Sequence, residues 1–381
     1  LITPLELEFI SASDPTQAVE KIVTFTSYQF ERNITSPVSA FRFTAPGVNR
    51  ATRLAIRSGD MVQIFAYNKD GDRLPIAIGI IDETDSHIGK DSVEYVVTGR
   101  DILGQLADNA SVDANNKVIF FEKASLTNII GSVLNGTRCP QGFTLSNAPN
   151  GQFLFSSNVG ETKINALQRM LEFANLLIWS DENGQVIVGK PDFAQATSGD
   201  LILLASNNPS NNILECRVRR NLNQAIRKIA TQLQSLGKTD PGTITMTNSD
   251  DDMVAVSKIG VGRSVYQFFD YGGAGDSVNT INQVGNQSGN YNNIGYEHSR
   301  RLLARENMKI LEVEAVVKGH INSFGEIYDI DQTYNVQVED EDVSETMYTH
   351  SVSYELTKDQ GMLTRLHLCK LNTIVSGAKA I

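Results

Sequence analysis

The sequence predicts a mainly β protein with an α+β part: two small antiparallel β-barrels, a central α+β domain and an inserted loop-rich region. Three observations predict it. Period-two alternation of apolar and polar residues, broken by turns, fills Leu5 to Gly99. The same alternation returns from about Ile310 to Cys369. Between these blocks the apolar period changes to that of helices.

The first block opens with Leu5, Leu7 and Phe9 alternating with Glu6 and Glu8. Ile22 to Phe30 is β-branched and aromatic, and Val38 to Phe43 and Met61 to Tyr67 read as further strands. Asp70-Gly71 supplies a hairpin turn, because glycine accepts the positive φ such turns need. Leu74, Ile76, Ile78 and Ile80 then alternate with Pro75, Ala77, Gly79 and Ile81, and Pro75 predicts an edge position. Val93, Tyr95 and Val97 complete the block.

Helices follow. Asp101 is placed to cap a short one through Leu106, and Ser125 caps a longer one with Leu126, Ile129, Ile130, Val133 and Leu134 on one face. A third runs from about Thr162 to Leu177 and passes into a hairpin: Ile178-Trp179, the turn Asn183-Gly184, then Val186 to Val188. Trp179, the only tryptophan, reads as core. Ile213 to Leu233 reads as a strand pair or ribbon. Thr243 to Thr247 and Met253 to Ile259 read as a hairpin, and Gly272 to Gly295, rich in Gly, Asn, Gln and Ser, as a mobile loop. A helix over Asn293 to Asn307 carries Arg300, Arg301 and Arg305. The closing strands are Leu311 to Lys318, Tyr334 to Val338, and a long pair turning at Lys358 to Gly361. The domains expected are 1–100 (first barrel), 101–200 (α+β), 201–235 with 308–381 (second barrel), and 236–307 (insertion).

Composition narrows the function. The chain has 381 residues, two to three domains at roughly 150 residues each. A net charge of −11 makes it a poor general nucleic-acid binder, since it repels phosphates. Three widely spaced cysteines, Cys139, Cys216 and Cys369, give no disulfide framework and read as free thiols. No stretch reaches the ~20 apolar residues of a membrane span, and the opening residues pattern as a strand rather than a signal peptide.

No chemistry announces itself. The five histidines fit no zinc motif. With the last hairpin centred near residue 359, His350 opposes Leu368 and His367 opposes Ser351, which puts the two imidazoles on opposite faces and argues against a shared metal. The acidic run Glu339 to Asp342 reads as a solvated hairpin tip, lacking the glycine of a calcium loop. Gly260 to Ser264 lacks the GK[ST] ending of a phosphate loop. There is no GxSxG elbow. No catalytic residue, metal ligand or cofactor is therefore expected.

The order of motifs resembles one family. Ser39–Pro46 (SAFRFTAP), Ser58–Ile64 (SGDMVQI), Gly79–Asp82 (GIID) and Val96–Asp108 (VVTGRDILGQLAD) are similar to the baseplate hub proteins of contractile-tailed, Mu-like phages, whose barrels also occur at the base of type VI secretion spikes. Gly99, Arg100 and Asp101 are the most specific piece, because they join the first barrel to the helical domain. A weaker C-terminal match runs from Arg300-Arg301 into Leu311–Gly319, then Met347-Tyr348 and Asp359–Gly361. Asn109 departs from the pattern, where relatives often carry cysteine.

The resemblance implies a homotrimer whose six barrels form a near six-fold ring, joining a hexameric tail tube to a trimeric central spike. It implies further baseplate partners, no membrane insertion, DNA only as transiting cargo, and a place in the virion tail after assembly in the bacterial host cytoplasm. An acidic bore would let DNA slide without sticking. The alternatives are a type VI-like spike base, a tail-associated cell-wall hydrolase, and a glycan-binding β-module. The first usually continues into a β-helical needle, the second needs an acid pair, and the third wants exposed aromatics, against an aromatic content of 7%.

Overall fold

The computed structural model describes residues 5–371, apart from 13–17, 114, 140–141, 147–151, 175, 206–207, 222–225, 235–242, 248–262, 271–302 and 305–306. The first block holds β1 (Leu5–Ile10), β2 (Ala18–Ile22), β3 (Ser27–Asn33), β4 (Ala40–Pro46), α1 (Arg50–Ala55), β5 (Met61–Tyr67), β6 (Arg73–Ile88) and β7 (Val93–Asp101). Alternation drives it: Leu5, Leu7 and Phe9 are buried, as are Tyr28 and Phe30. The strand expected over Ile22 to Phe30 is two strands, with an exposed Val23 between them. Gly71 takes a φ of 87° in the turn between β5 and β6. Pro75 lies opposite Phe65 beside a register shift, and β7 joins β6 only from Gly79 onward.

The middle region contains α2 (Gly104–Asp108), β8 (Phe120–Ala124), α3 (Leu126–Leu134), β9 (Phe143–Ser146), β10 (Phe153–Ser156), α4 (Lys163–Ala174), β11 (Leu177–Ser180) and β12 (Val186–Gly189). Ser125 caps α3 as expected, its hydroxyl accepting from the Asn128 amide, and the predicted stripe is buried. That stripe packs on Ile164, Leu167 and Leu171 of α4 to make a core of its own. β11 and β12 form the predicted hairpin, with Gly184 at φ 75° and Trp179 buried. Asp101 does not cap a helix. It ends β7, opposite Gly79, and α2 starts later with no side-chain cap.

The last block adds β13 (Asp200–Leu203), β14 (Ile213–Arg220), β15 (Ile226–Gln234), β16 (Thr243–Thr247), β17 (Arg263–Asp270), β18 (Leu311–Lys318), β19 (Gln332–Val338), β20 (Val343–Thr357) and β21 (Gly361–Lys370). β14 and β15 do not pair with each other. β14 pairs with β18, whereas β15 sits between β16 and β17 in a separate three-stranded sheet. Residues 226–234 therefore go with the inserted region. The expected partner of β16, Met253 to Ile259, lies outside the described residues, as do the Gly272–Gly295 segment and most of the helix expected over Asn293–Asn307. The acidic run after β19 is an exposed 3₁₀ turn, with Glu341 paired to Arg220 at 2.7 Å. None of the three cysteines is in a disulfide, and no helix of the described residues is long and apolar enough to cross a membrane.

The two strand blocks share one 13-stranded sheet, ordered β14-β18-β21-β20-β3-β4-β7-β6-β5-β1-β2, with β13 and β19 branching from β20. The joint is β20. Along one edge its first half pairs with β19 and its second half with β3, while β21 takes the other edge. One apolar core spans this seam: Phe30 stacks on Tyr354 at 5.7 Å between ring centroids. Each such fully buried aromatic stabilises the fold by about 2–3 kcal/mol relative to exposure.

A β-bulge marks the change of partner. Thr349 opposes Leu368 and Ser351 opposes His367, so His350 is the extra residue. This corrects the expected register. His350 does not oppose Leu368, and its ring lies 6.1 Å from that of His367 rather than across the sheet.

Candidate functional site at the seam and junction

Arg32 is the centre of the site. β3 alternates, with Tyr28, Phe30 and Arg32 all facing inward, and Arg32 is 2% exposed. A buried guanidinium persists only when paired and hydrogen-bonded. Its Nη1 pairs with Asp329 and donates to the Ile76 carbonyl at 3.2 Å. Its Nη2 donates to the Ser180 carbonyl at 2.5 Å. One side chain thus ties β3 and β6 of the first block, β11 of the middle region and the loop before β19. Burial works against its charge, but Asp329, with Tyr354, Glu182 and Asp101, outweighs it and raises its pKa. Burial pushes Asp329 up to about 6 despite the facing guanidinium.

A second, neutral link crosses the seam. The Tyr28 hydroxyl meets His320 Nε2 at 2.5 Å, and His320 Nδ1 meets Thr364 Oγ1 at 2.8 Å. The Thr364 hydroxyl donates to the Gly319 carbonyl at 2.6 Å, which assigns the ring proton to Nδ1 and leaves Nε2 to accept from tyrosine. Burial holds the His320 pKa down to about 3, so the ring is neutral.

The three residues singled out in sequence fall together at the start of the middle region. Gly99 clears space: a β-carbon there would lie 2.2 Å from the Ile80 carbonyl oxygen and 2.4 Å from the Phe41 ring. Gly79 flanks the same ring, so Phe41 fits between two glycines. Arg100 grips Asp82 with Nε and Nη2 at 2.7 and 2.8 Å, and reaches Asp108 of α2 with Nη1 and Nη2 at 3.0 and 2.5 Å. Asp101 is buried. Its amide donates to the Ser39 carbonyl at 2.8 Å, and its carboxylate accepts from the Ser180 hydroxyl at 3.2 Å. Burial raises its pKa to about 6 against these hydrogen bonds and the charge of Arg32. Ser180 therefore links Asp101 to Arg32, and the junction and the seam are one network.

Sequence reasoning named Asp101 but missed Arg32, Ser180 and Asp329. A signal for Arg32 was present: it continues the inward phase of Tyr28 and Phe30, where a charge is out of place.

Opposite the core, the sheet carries a polar face that crosses the seam. One cross-strand row runs Glu355, Gln29, Arg42, Thr98, Glu83. Arg365 ties Glu314 and Glu355 on the same face, at 2.6 and 3.7 Å. Among the described residues no three His, Cys, Asp or Glu side chains gather in metal-binding geometry.

No protein-family model and no curated protein matches this chain. Solved structures do. A tail protein of Neisseria meningitidis superimposes with a TM-score of 0.73 at 14% identity, over 97% of both chains. The 43 kDa tail protein of prophage MuSo2 from Shewanella oneidensis gives 0.71 at 16% identity, over 97% of this chain and 99% of that one. A type VI secretion component of E. coli, described as structurally similar to tail proteins gp27 and gp5 of bacteriophage T4, gives 0.53 at 7% identity, over 96% and 76%. Over nearly its whole length the chain has the mainly β fold of these tail proteins, a fold shared with a component of the type VI secretion system.

Proposed function

We propose that this protein is a non-enzymatic structural component of a phage tail baseplate. It acts as a trimeric hub whose two strand blocks per chain, each closing as a barrel, make a near six-fold ring. The ring joins a hexameric tail tube to a three-fold central spike and leaves a channel for the genome. One observation carries the reading: the two blocks are fused by β3 and β20 into one sheet with one continuous polar face. A chain needs two equivalent blocks held rigidly side by side if three copies are to present six. Likeness over 97% of the chain to two tail proteins, one of them from a prophage, supports the same reading. In it, the polar row through Glu355, Arg42 and Glu83 lines the bore, and Gly99, Arg100 and Asp101 fix the angle of the middle region on the ring.

The test is the mass of the purified chain by light scattering with size separation, then negative-stain class averages of the same peak. The expected result is a trimer with a central channel and near six-fold projection. A protein that stays monomeric at high concentration and after mixing with its tube and spike proteins overturns the reading.

A further inference from the structure

We infer that copies of this chain join by strand addition: β14 of one copy pairs with the open half of β6 in the next. This rests on the hub reading and names the contact that closes its ring. The sheet has two open edges. β14 pairs with β18, and among the described residues nothing pairs with its other edge. β5 covers β6 only as far as Ile80, so one edge of Glu83–Ile88 is open in the same sense. Between these edges lie eight strands in two matching sets of four, β14-β18-β21-β20 and β3-β4-β7-β6. β20 and β6 end their sets alike. Each leaves a hairpin partner, β19 or β5, at a bulge, after Thr349 in β20 and after Ile81 in β6. Beyond its bulge β20 takes β3 as a new partner. The matching half of β6 has none among the described residues.

Aligning the two bulges sets the register. Glu83 takes the place of Ser351. Following the cross-strand pairs puts Arg217 of β14 in the place of Gln29 of β3. Glu355 faces Gln29 at the seam, so His87 faces Arg217 of the next copy. Asp85 then faces Arg219, and both are exposed. Opposite charges set directly across an antiparallel pair attract. On the core side Ile88, 63% exposed, comes opposite Cys216, which is only partly covered at the rim of the core. Leu356 stands in that relation to Tyr28 at the seam. An open edge carrying an exposed aliphatic side chain invites uncontrolled pairing, and this contact closes it. The two surfaces differ, so the contact is head-to-tail and repeats around a ring.

The test is disulfide trapping in the full chain, alone and with its tube and spike proteins. Residues directly opposite in an antiparallel pair have Cα atoms about 4.5–5.5 Å apart, within disulfide reach. Ile88→Cys is therefore expected to cross-link to the native Cys216 of the next copy under mild oxidation, giving covalent trimers on a non-reducing gel. Adding Cys216→Ala removes the cross-link, and Ser86→Cys, two residues out of register, traps far less. Asp85→Arg weakens trimer formation by about tenfold or more in light scattering, and Arg219→Asp on that background restores it. Thermal melting checks that each variant folds. A trimer that forms without the Ile88→Cys cross-link overturns the strand pairing and leaves the hub reading standing. Equal trapping in Ser86→Cys overturns the register. A chain that stays monomeric with its tube and spike proteins overturns both readings. Cross-linked chains longer than three keep the pairing and overturn the trimer.

Discussion

Two polar links cross the same seam in opposite ways. Arg32 carries a full charge into the core and spreads it over three regions, balanced by Asp329 and by carbonyls of Ile76 and Ser180. Tyr28 and His320 cross the seam with no net charge, the imidazole bonded by Tyr28 at one nitrogen and by Thr364 at the other. A charged link is weak as a source of stability, because desolvation offsets much of its attraction, but losing one partner strands the other. A neutral link costs less to bury and loses less when removed. The charged link thus sits where three regions must agree on one geometry, and the neutral one where only two meet.

The sharpest way to break the comparison is Arg32→Ala. It strands Asp329 and leaves the Ser180 carbonyl unpaired, so it is expected to cost about 3–5 kcal/mol in urea unfolding. Arg32→Met with Asp329→Leu is expected to recover most of that loss, since both charges go together. A double variant as unstable as Arg32→Ala would mean that the link does more than cancel its own burial.

The neutral link shows itself through pH. The His320 pKa is lowered in the folded state, so the unfolded chain takes up the proton first. Its contribution is complete above the unfolded value of about 6.5 and is lost as pH falls toward 3, a matter of a few kcal/mol. Asp101 and Asp329 run the other way. Their folded values are raised to about 6, so the fold gains from them as pH falls from 6 toward 3.8. His320→Gln is expected to flatten the acid-side decline between about pH 6.5 and about pH 4, read as melting temperature against wild type. An unchanged slope would place the acid sensitivity in His350 or elsewhere.

Smaller effects sharpen the junction. Gly99→Ala forces a β-carbon against the Ile80 carbonyl and Phe41, and about 1–3 kcal/mol of stability is expected to be lost in denaturant unfolding. Phe41→Leu on that background is expected to return part of it, because it withdraws the ring. Arg100→Ala is expected to cost only about 1 kcal/mol or less, since Asp82 and Asp108 are 40% and 60% exposed and solvent screens the pairs.

What could be read from the sequence followed locality. The stripe of α3, its Ser125 cap, the β11–β12 hairpin and the closing β20–β21 turn are set by neighbours a few residues apart, and each was legible. Pairing between β3 and β20 joins residues 318 to 328 positions apart, and nothing local encodes it. The register of His350 failed for a subtler reason. Period-two counting assumes an unbroken strand, and one bulge moves every later side chain to the other face. Asp101 was noticed as a helix cap because aspartate before an apolar run suggests one, but tertiary partners in Ser39 and Ser180 claim it instead. The junction was legible as a motif and illegible as a network, since Ser180 and Asp329 have no pattern of their own.

The placement of β20 has a consequence for how the chain is made. Synthesis delivers β3 early and its partner almost last, so the first block emerges with one edge of β3 unpaired until the C-terminal hairpin arrives. An open strand edge is a template for other chains, and contacts of such long separation form slowly. The same seam that unites the finished sheet therefore makes the nascent chain vulnerable. Truncation before residue 351 is expected to yield aggregates rather than a smaller folded unit, which pulse-labelled solubility of the truncated chain would reveal.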